Sequence, residues 1–449
     1  MNRIVRRIAE LKPRTIALLG WLGMVLYAFP GYMSYDSVRQ LQQARWNLFV
    51  DSHPPAMAFL WRHVENVIRG PAGMLLLQTA CFQLGGYLLL RTRMSGRKAA
   101  VLATLIMWYP PISNTLGVIW KDSQMGAYLM LGAGMLVSQR RGVRVGGLVM
   151  LLVATTMRYN ALAMTLPIVV VLFVWNPAHG FIKRHAIAIA AWVAITLSAG
   201  AVNSALTDQH RYVWHQSLAL LDIVGTLRNV PDMPDAEIAQ LLDGIPYEPH
   251  DQLHHWIKTT WDPTKPPTDI LWDTTDRFFF RGDFPDAKER AAITRAWKAV
   301  VFGHPREYLA YRSVVFAQLV QLDGTELGSP IYFWFTDIQD LEWSAGFIEH
   351  DAWPSRSQDL LHHVMYPLGD TPLFHVGLYL ILAVLLLPFA WGDRPALAMI
   401  GSALSGELAL FFLSPTVDVR YSFWLFVGTV CGLILIVARR VAKYRAKAA

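Results

Sequence analysis

Six short basic stretches recur along this chain of 449 residues, and long apolar runs lie between them. They read "MNRIVRRIAELKPR", "RTRMSGRK", "QRRGVR", "FIKRH", "GDR" and "RRVAKYRAK". About 20 apolar residues suffice to cross a hydrocarbon core, and lysine and arginine collect in the loops left on the cytoplasmic side. All six stretches fall on one side if spans run near 15–33, 72–90, 99–118, 123–138, 145–158, 160–175, 186–203, 373–391, 395–414 and 421–438. A single missed span would throw the later loops to the opposite side. The expected fold class is an all-α polytopic membrane protein with about 10 transmembrane helices and both termini cytoplasmic.

Composition agrees with that expectation. The chain is 54% hydrophobic and only 16% charged, where soluble domains carry about a quarter charged residues. The net charge of +7 comes largely from the basic loops and does not point to nucleic acid. Cys81 and Cys431 both lie inside apolar runs, which excludes a disulfide framework. The N-terminal segment leads into a full-length span without a small-residue cleavage site, so no cleavable signal peptide is expected.

Three regions follow: an N-terminal transmembrane module over 1–203, an extracytoplasmic, mainly helical segment over 204–372, and a C-terminal transmembrane module over 373–449. The first outer loop covers 34–71. Apolar residues recur there at Tyr35, Val38, Leu41, Ala44 and Leu48, and again at Met57, Leu60, Trp61, Val64 and Ile68. That spacing predicts two amphipathic helices lying along the membrane surface. Between them stands "DSHPP", residues 51–55, in which Asp51 or Ser52 can cap the second helix. In the middle region "HPREYLAYRSVVFAQLV" predicts a surface helix carrying Arg312.

Three cations break the positive-inside pattern. Lys121, followed by Asp122, ends up at the outer end of the third span, Arg158 divides the fifth and sixth, and Arg420 lies between the ninth and tenth. Two helices of about 15 residues reach only ~23 Å, short of a ~30 Å core, so Arg158 is expected below the outer surface. A cation there is costly unless water or an anion meets it. Arg420 also has Asp418 two residues away as a local partner. Three such cations around one cavity suit a phosphate. Asp36, at the start of the first amphipathic helix, is the carboxylate placed to act as a general base on an acceptor hydroxyl. Glu407 is a further acid within a span, and the pairs His254-His255 and His362-His363 lack regular metal-ligand spacing.

An acid just after the first span, an Asp-x-His-Pro-Pro type turn and an amphipathic return helix resemble the C-type (GT-C) glycosyltransferases. Those include the protein O-mannosyltransferases and the lipid A aminoarabinose transferases. The resemblance implies a sugar moved from a polyprenyl-phosphate donor to a glycolipid, glycan or protein acceptor on the outer face of a bacterial inner membrane. It implies Asp36 as the catalytic residue, Lys121, Arg158 and Arg420 as holders of the donor phosphate, and Asp51, His53 and Asp122 as positioning residues. Ser37 stands where the wider pattern often has a second acid. No cofactor is required by this reading, and a divalent metal is left open. Two alternatives remain at this stage: an O-antigen ligase or polymerase, which would rest on arginines and a histidine in the large outer loop, and a transporter or flippase for a lipid-linked sugar.

Overall fold

The computed structural model describes residues 11–247, 252–260, 285–322, 331–332 and 356–448. Among the described residues it is all-helical, with only isolated bridges such as Tyr32 with Val118 and Val50 with Gln209. The N-terminal part comprises α1 (Pro13–Ala28), α2 (Tyr35–Trp46), α3 (Ala56–Glu65), α4 (Ala72–Leu90), α5 (Gly96–Met107), α6 (Pro110–Leu116), α7 (Lys121–Leu136), α8 (Arg141–Met157), α9 (Ala161–Leu172) and α10 (Phe181–Leu206).

Among the described residues, four segments are long and apolar enough to cross a membrane: Ala72–Leu90, Phe181–Leu206, Arg394–Leu413 and Val419–Lys447. Pro13–Ala28, Ala161–Leu172 and Val376–Ala390 are shorter apolar helices. The expected continuous span over 99–118 is instead broken between α5 and α6. Tyr109 is extended (φ −62°, ψ 124°) because it precedes Pro110, and Pro110 then opens α6 where no backbone donor is needed.

The centre of the bundle is α7, nearly every residue of which is buried. Its backbone touches that of α4: a methyl on Gly85 or on Gly134 would collide with the opposite main chain. Small residues permit this approach, and dispersion then holds the pair without a hydrophobic driving force. Helices from the C-terminal part join the same core. There α17 (Val376–Ala390), α18 (Arg394–Leu413) and α19 (Phe423–Ala448) bring Met399, Ala403, Phe423 and Leu435 against residues of α4, α7 and α9. The first and third regions thus share one apolar interior.

The basic loops meet at one end of the bundle. Arg93 Nη2 pairs with Asp393 Oδ1 at 2.8 Å, Arg144 donates to the carbonyls of Ser138, Gln139 and Trp175, and Arg184 and Arg394 both donate to the Val171 carbonyl. Arg184 and Arg394 thereby satisfy a carbonyl in the last turn of α9 that has no intrahelical donor.

The middle region has its own core. A π-turn over Trp214–Ala219 leads into α11 (Leu220–Asn229), followed by α12 (Asp235–Leu241), α13 (Leu253–Thr260), α14 (Ala287–Gly303) and α15 (Pro305–Leu319). Ile223, Val224, Ile293, Val300 and Tyr311 fill its interior. Asp286 caps α14 by accepting from Lys288 N and Glu289 N, and Glu289 returns a bond to Asp286 N at 2.8 Å. Beyond it, α16 (Arg356–Met365) precedes α17.

Two expectations change here. Arg312 does not ride on a solvated face of α15: it is 0% exposed, paired with Asp222, and its Nη1 donates to the Ser414 carbonyl at 2.8 Å. Trp297 Nε1 donates to the other Asp222 oxygen at 2.9 Å. The face of α15 containing Tyr311, Val315 and Leu319 covers α11 and α18. The guanidinium shares that face because Asp222 and the Ser414 carbonyl accept from its two terminal nitrogens, although its buried Nε has no acceptor among the described residues. Nor does Asp51 cap α3. The N-cap is Pro55, without a side-chain cap bond, and the Asp51 carboxylate is engaged elsewhere.

Candidate functional site

At the end of the bundle opposite the basic loops, four chain breaks face one another: the start of α2, the start of α7, the junction of α8 with α9, and the turn before α19. Ser34 and Ser37 close the first turn of α2, with Ser34 N donating to Ser37 Oγ at 3.1 Å. Asp36 falls within that turn, where the positive end of the helix dipole favours a carboxylate. Its Oδ2 lies 3.0 Å from Arg420 Nη1 and 3.7 Å from Lys121 Nζ, and its Oδ1 lies 3.4 Å from His53 Nε2. Asp36 remains 19% exposed and His53 26%, so the cluster meets the outside through both.

His53 bridges Asp36 and Lys121. Its Nδ1 lies 2.8 Å from Lys121 Nζ; burial brings the Lys121 pKa down to about 7, and with the lysine donating, Nδ1 accepts and Nε2–H faces Asp36. Burial and the Lys121 ammonium lower the imidazole pKa below its ordinary 6.5, outweighing the pull of Asp36, and the ring is neutral near pH 7. For Asp36, burial pushes the pKa up, but Lys121, His53 and Arg420 together outweigh it. They hold the carboxyl well below the usual carboxylate range.

Arg420 is oriented from three sides. Its Nε pairs with Asp418 Oδ2 at 2.7 Å, its guanidinium lies 4.6 Å from the Trp120 ring centre, and its main-chain N donates to Asp418 Oδ1 at 3.0 Å. Tyr332 holds Asp418 in turn, donating from its hydroxyl to Oδ1 at 2.8 Å. Trp120 stands edge-on to Tyr332 with ring centres 4.6 Å apart, and donates from Nε1 to Ser34 Oγ.

Arg158 stands one layer away. It pairs with Asp122, which is 1% exposed, and its guanidinium lies 4.8 Å from the Tyr421 ring centre. Lys121 and Asp122 open α7, where the helix dipole opposes a cation and favours the acid. The structure therefore gathers Asp36, His53, Lys121 and Arg420 directly, and joins Arg158 to them through Asp122, Tyr421 and Arg420.

Asp51 belongs to a different contact. Its carboxylate accepts from Arg211 N at 2.5 Å and meets His210 Nδ1 at 3.1 Å, while its carbonyl accepts from Tyr159 at 3.1 Å. With the bridge between Val50 and Gln209, it ties the first outer loop to the chain leaving α10.

The three cations expected to await an anion each have a carboxylate already. Lys121, Arg158 and Arg420 are matched by Asp36, Asp122 and Asp418. Trp120, Tyr332 and Tyr421 were not legible as site residues. Trp120 and Tyr421 adjoin the cations in sequence, so adjacency was the only available signal, and Tyr332 had none. Among the described residues, the one group that brings three metal-ligating side chains together is Asp359, His362 and His363 on α16, outside the Asp36 cluster. No family model, curated protein or solved structure matches the chain.

Proposed function

We propose that the chain is a membrane glycosyltransferase with ten spans and both termini in the cytoplasm, its Asp36 cluster opening to the outer face. It moves a sugar from a polyprenyl-phosphate donor to an acceptor hydroxyl by direct displacement with inversion. The observation that carries this reading is that one carboxylate, Asp36, shares Arg420 and Lys121. In the reaction the acceptor O–H proton passes to Asp36 as its oxygen bonds to the anomeric carbon. The anomeric C–O bond to phosphate breaks, and its electron pair stays on the phosphate oxygen.

One negative charge thereby leaves Asp36 and appears on phosphate. Arg420 and Lys121 flank both positions, so the same cations stabilise the charge before and after it moves. With phosphate oxygens drawing these cations away, Asp36 becomes a stronger base than in the free enzyme. His53 keeps Lys121 and Asp36 in register, and Arg158 with Asp122 braces the start of α7.

Single-turnover transfer from a polyprenyl-phosphate sugar by the purified protein tests the reading. Asp36→Asn is expected to abolish transfer while leaving donor binding in place. A ligase-like enzyme would rest instead on His215 and Arg290, which meet in the middle region. Transfer lost in His215→Ala but retained in Asp36→Asn would favour that reading.

A further inference from the structure

Along the middle region, aromatic rings form a continuous row. His210 stacks on Tyr212 with ring centres 5.6 Å apart, and Tyr212 meets His215 edge-on at 6.3 Å. His215 meets Trp214 at 4.8 Å, Trp214 meets Trp297 at 5.4 Å, and Trp297 meets Phe302 at 5.7 Å. Trp214 is 36% exposed and Phe302 71%, so the row reaches the surface. Beside it opens a cavity of about 490 Å³ lined by His215, Arg290, Ala291, Thr294, Arg295 and Lys298. Among the described residues its wall has three cationic side chains and no carboxylate.

The cations are held differently. Arg290 lies 3.8 Å from the Tyr212 ring centre and donates from Nη1 to the Pro285 carbonyl at 2.7 Å. Arg295 donates to the Asp243 carbonyl at 2.6 Å, with the Asp243 carboxylate, itself mostly exposed, 3.9 Å away. Lys298 is exposed and has no acidic partner among the described residues. His215 Nε2 and Thr294 Oγ1, 3.2 Å apart, add hydrogen-bonding groups to the wall.

We propose that this groove binds an anionic saccharide, one bearing carboxylate or phosphate groups, and that it is the acceptor side of the enzyme. A pyranose offers an apolar ring face and a rim of hydroxyls. Exposed aromatic faces beside a hydroxyl, an imidazole and cations match both, plus the acidic substituent. A bare anion would need no aromatic row, and a neutral glycan would need no cations. The row begins at His210, which Asp51 grips at 3.1 Å, and Asp51 is two residues from His53. One turn of the first outer loop therefore fixes both the groove and the Asp36 cluster. The acceptor role rests on the glycosyltransferase reading; the groove itself does not.

Calorimetry on the full-length protein in neutral detergent, without donor, separates the two. The probes are a short oligomer of galacturonic acid, the matching galactose oligomer, and inorganic pyrophosphate. The acidic oligomer should bind, with affinity falling as salt is added. Lys298→Glu and Arg295→Glu, at exposed positions, should each weaken it at least about tenfold. Trp214→Ala should weaken it without altering salt dependence. Equal affinity for the neutral oligomer, unchanged affinity in Lys298→Glu, or pyrophosphate bound as tightly as the oligomer would each overturn the proposal. Should Trp214→Ala fail to fold, the two charge reversals decide alone. Acidic-oligomer binding retained in a protein that transfers no sugar would sink the catalytic reading and leave the groove standing.

Discussion

Arg420 Nη1 lies 3.0 Å from Asp36 Oδ2, joining the turn before the last helix to the first turn after the first one. Neither residue is complete alone: Asp36 also meets Lys121 and His53, and Arg420 also pairs with Asp418. Removing either partner should therefore have effects that do not add. Asp36→Asn keeps a residue suited to a helix N-terminus but cannot take a proton. Transfer should fall by about 10²–10⁴-fold, the usual contribution of a general base. Single-turnover rates within about tenfold of wild type would remove Asp36 as base.

The pH dependence should follow His53 rather than Asp36. The carboxyl sits well below its usual range and stays ionised through the working pH. The His53 pKa is lowered from 6.5, so below that pH the unfolded chain binds a proton that the folded one resists. The His53 contribution is fully present above 6.5 and is lost as pH falls through the lowered value, whereas that of Lys121, its pKa brought down to about 7 by burial, changes only at higher pH. Melting temperature measured between pH 7 and about 5 should drop more steeply in wild type than in His53→Gln. Parallel curves would show that His53 does not govern the limb.

Arg158 and Asp122 form a buried pair, and losing one partner strands the other charge. Arg158→Ala and Asp122→Ala should each destabilise by about 3–5 kcal/mol, whereas the double replacement should cost less than their sum. Unfolding in detergent reads this directly. A stable Arg158→Ala protein with weakened donor binding would mean that the guanidinium acts on phosphate rather than on Asp122.

Asp51→Ala removes the acceptor for Arg211 N and the partner of His210. About 1–3 kcal/mol should be lost locally, and amide exchange over 208–212 should rise while α3 keeps its protection. Asp51→Asn should be milder, since an amide oxygen still accepts from Arg211 N. Exchange rising in α3 instead would restore the capping role.

That the chain is built of apolar helices, and that its basic loops gather at one end of the bundle, was legible because both follow from local rules. Apolar length and the placement of lysine and arginine need no partner to be read. The two helices of the first loop, and Asp36, Lys121, Arg158 and Arg420 as residues at helix ends, came from the same patterns. Those patterns did not extend to what each charge would find. Asp51 looked like a cap because Pro54 and Pro55 follow it, yet the chain leaving α10 brings the Arg211 amide and His210 to its carboxylate. Arg312 looked solvated because its helix reads as amphipathic, but Asp222 and the Ser414 carbonyl come from distant segments. The tertiary structure alone decided that the three outer cations are already matched by three carboxylates. An ion pair forms wherever folding brings opposite charges together out of water, and sequence separation carries no record of that distance.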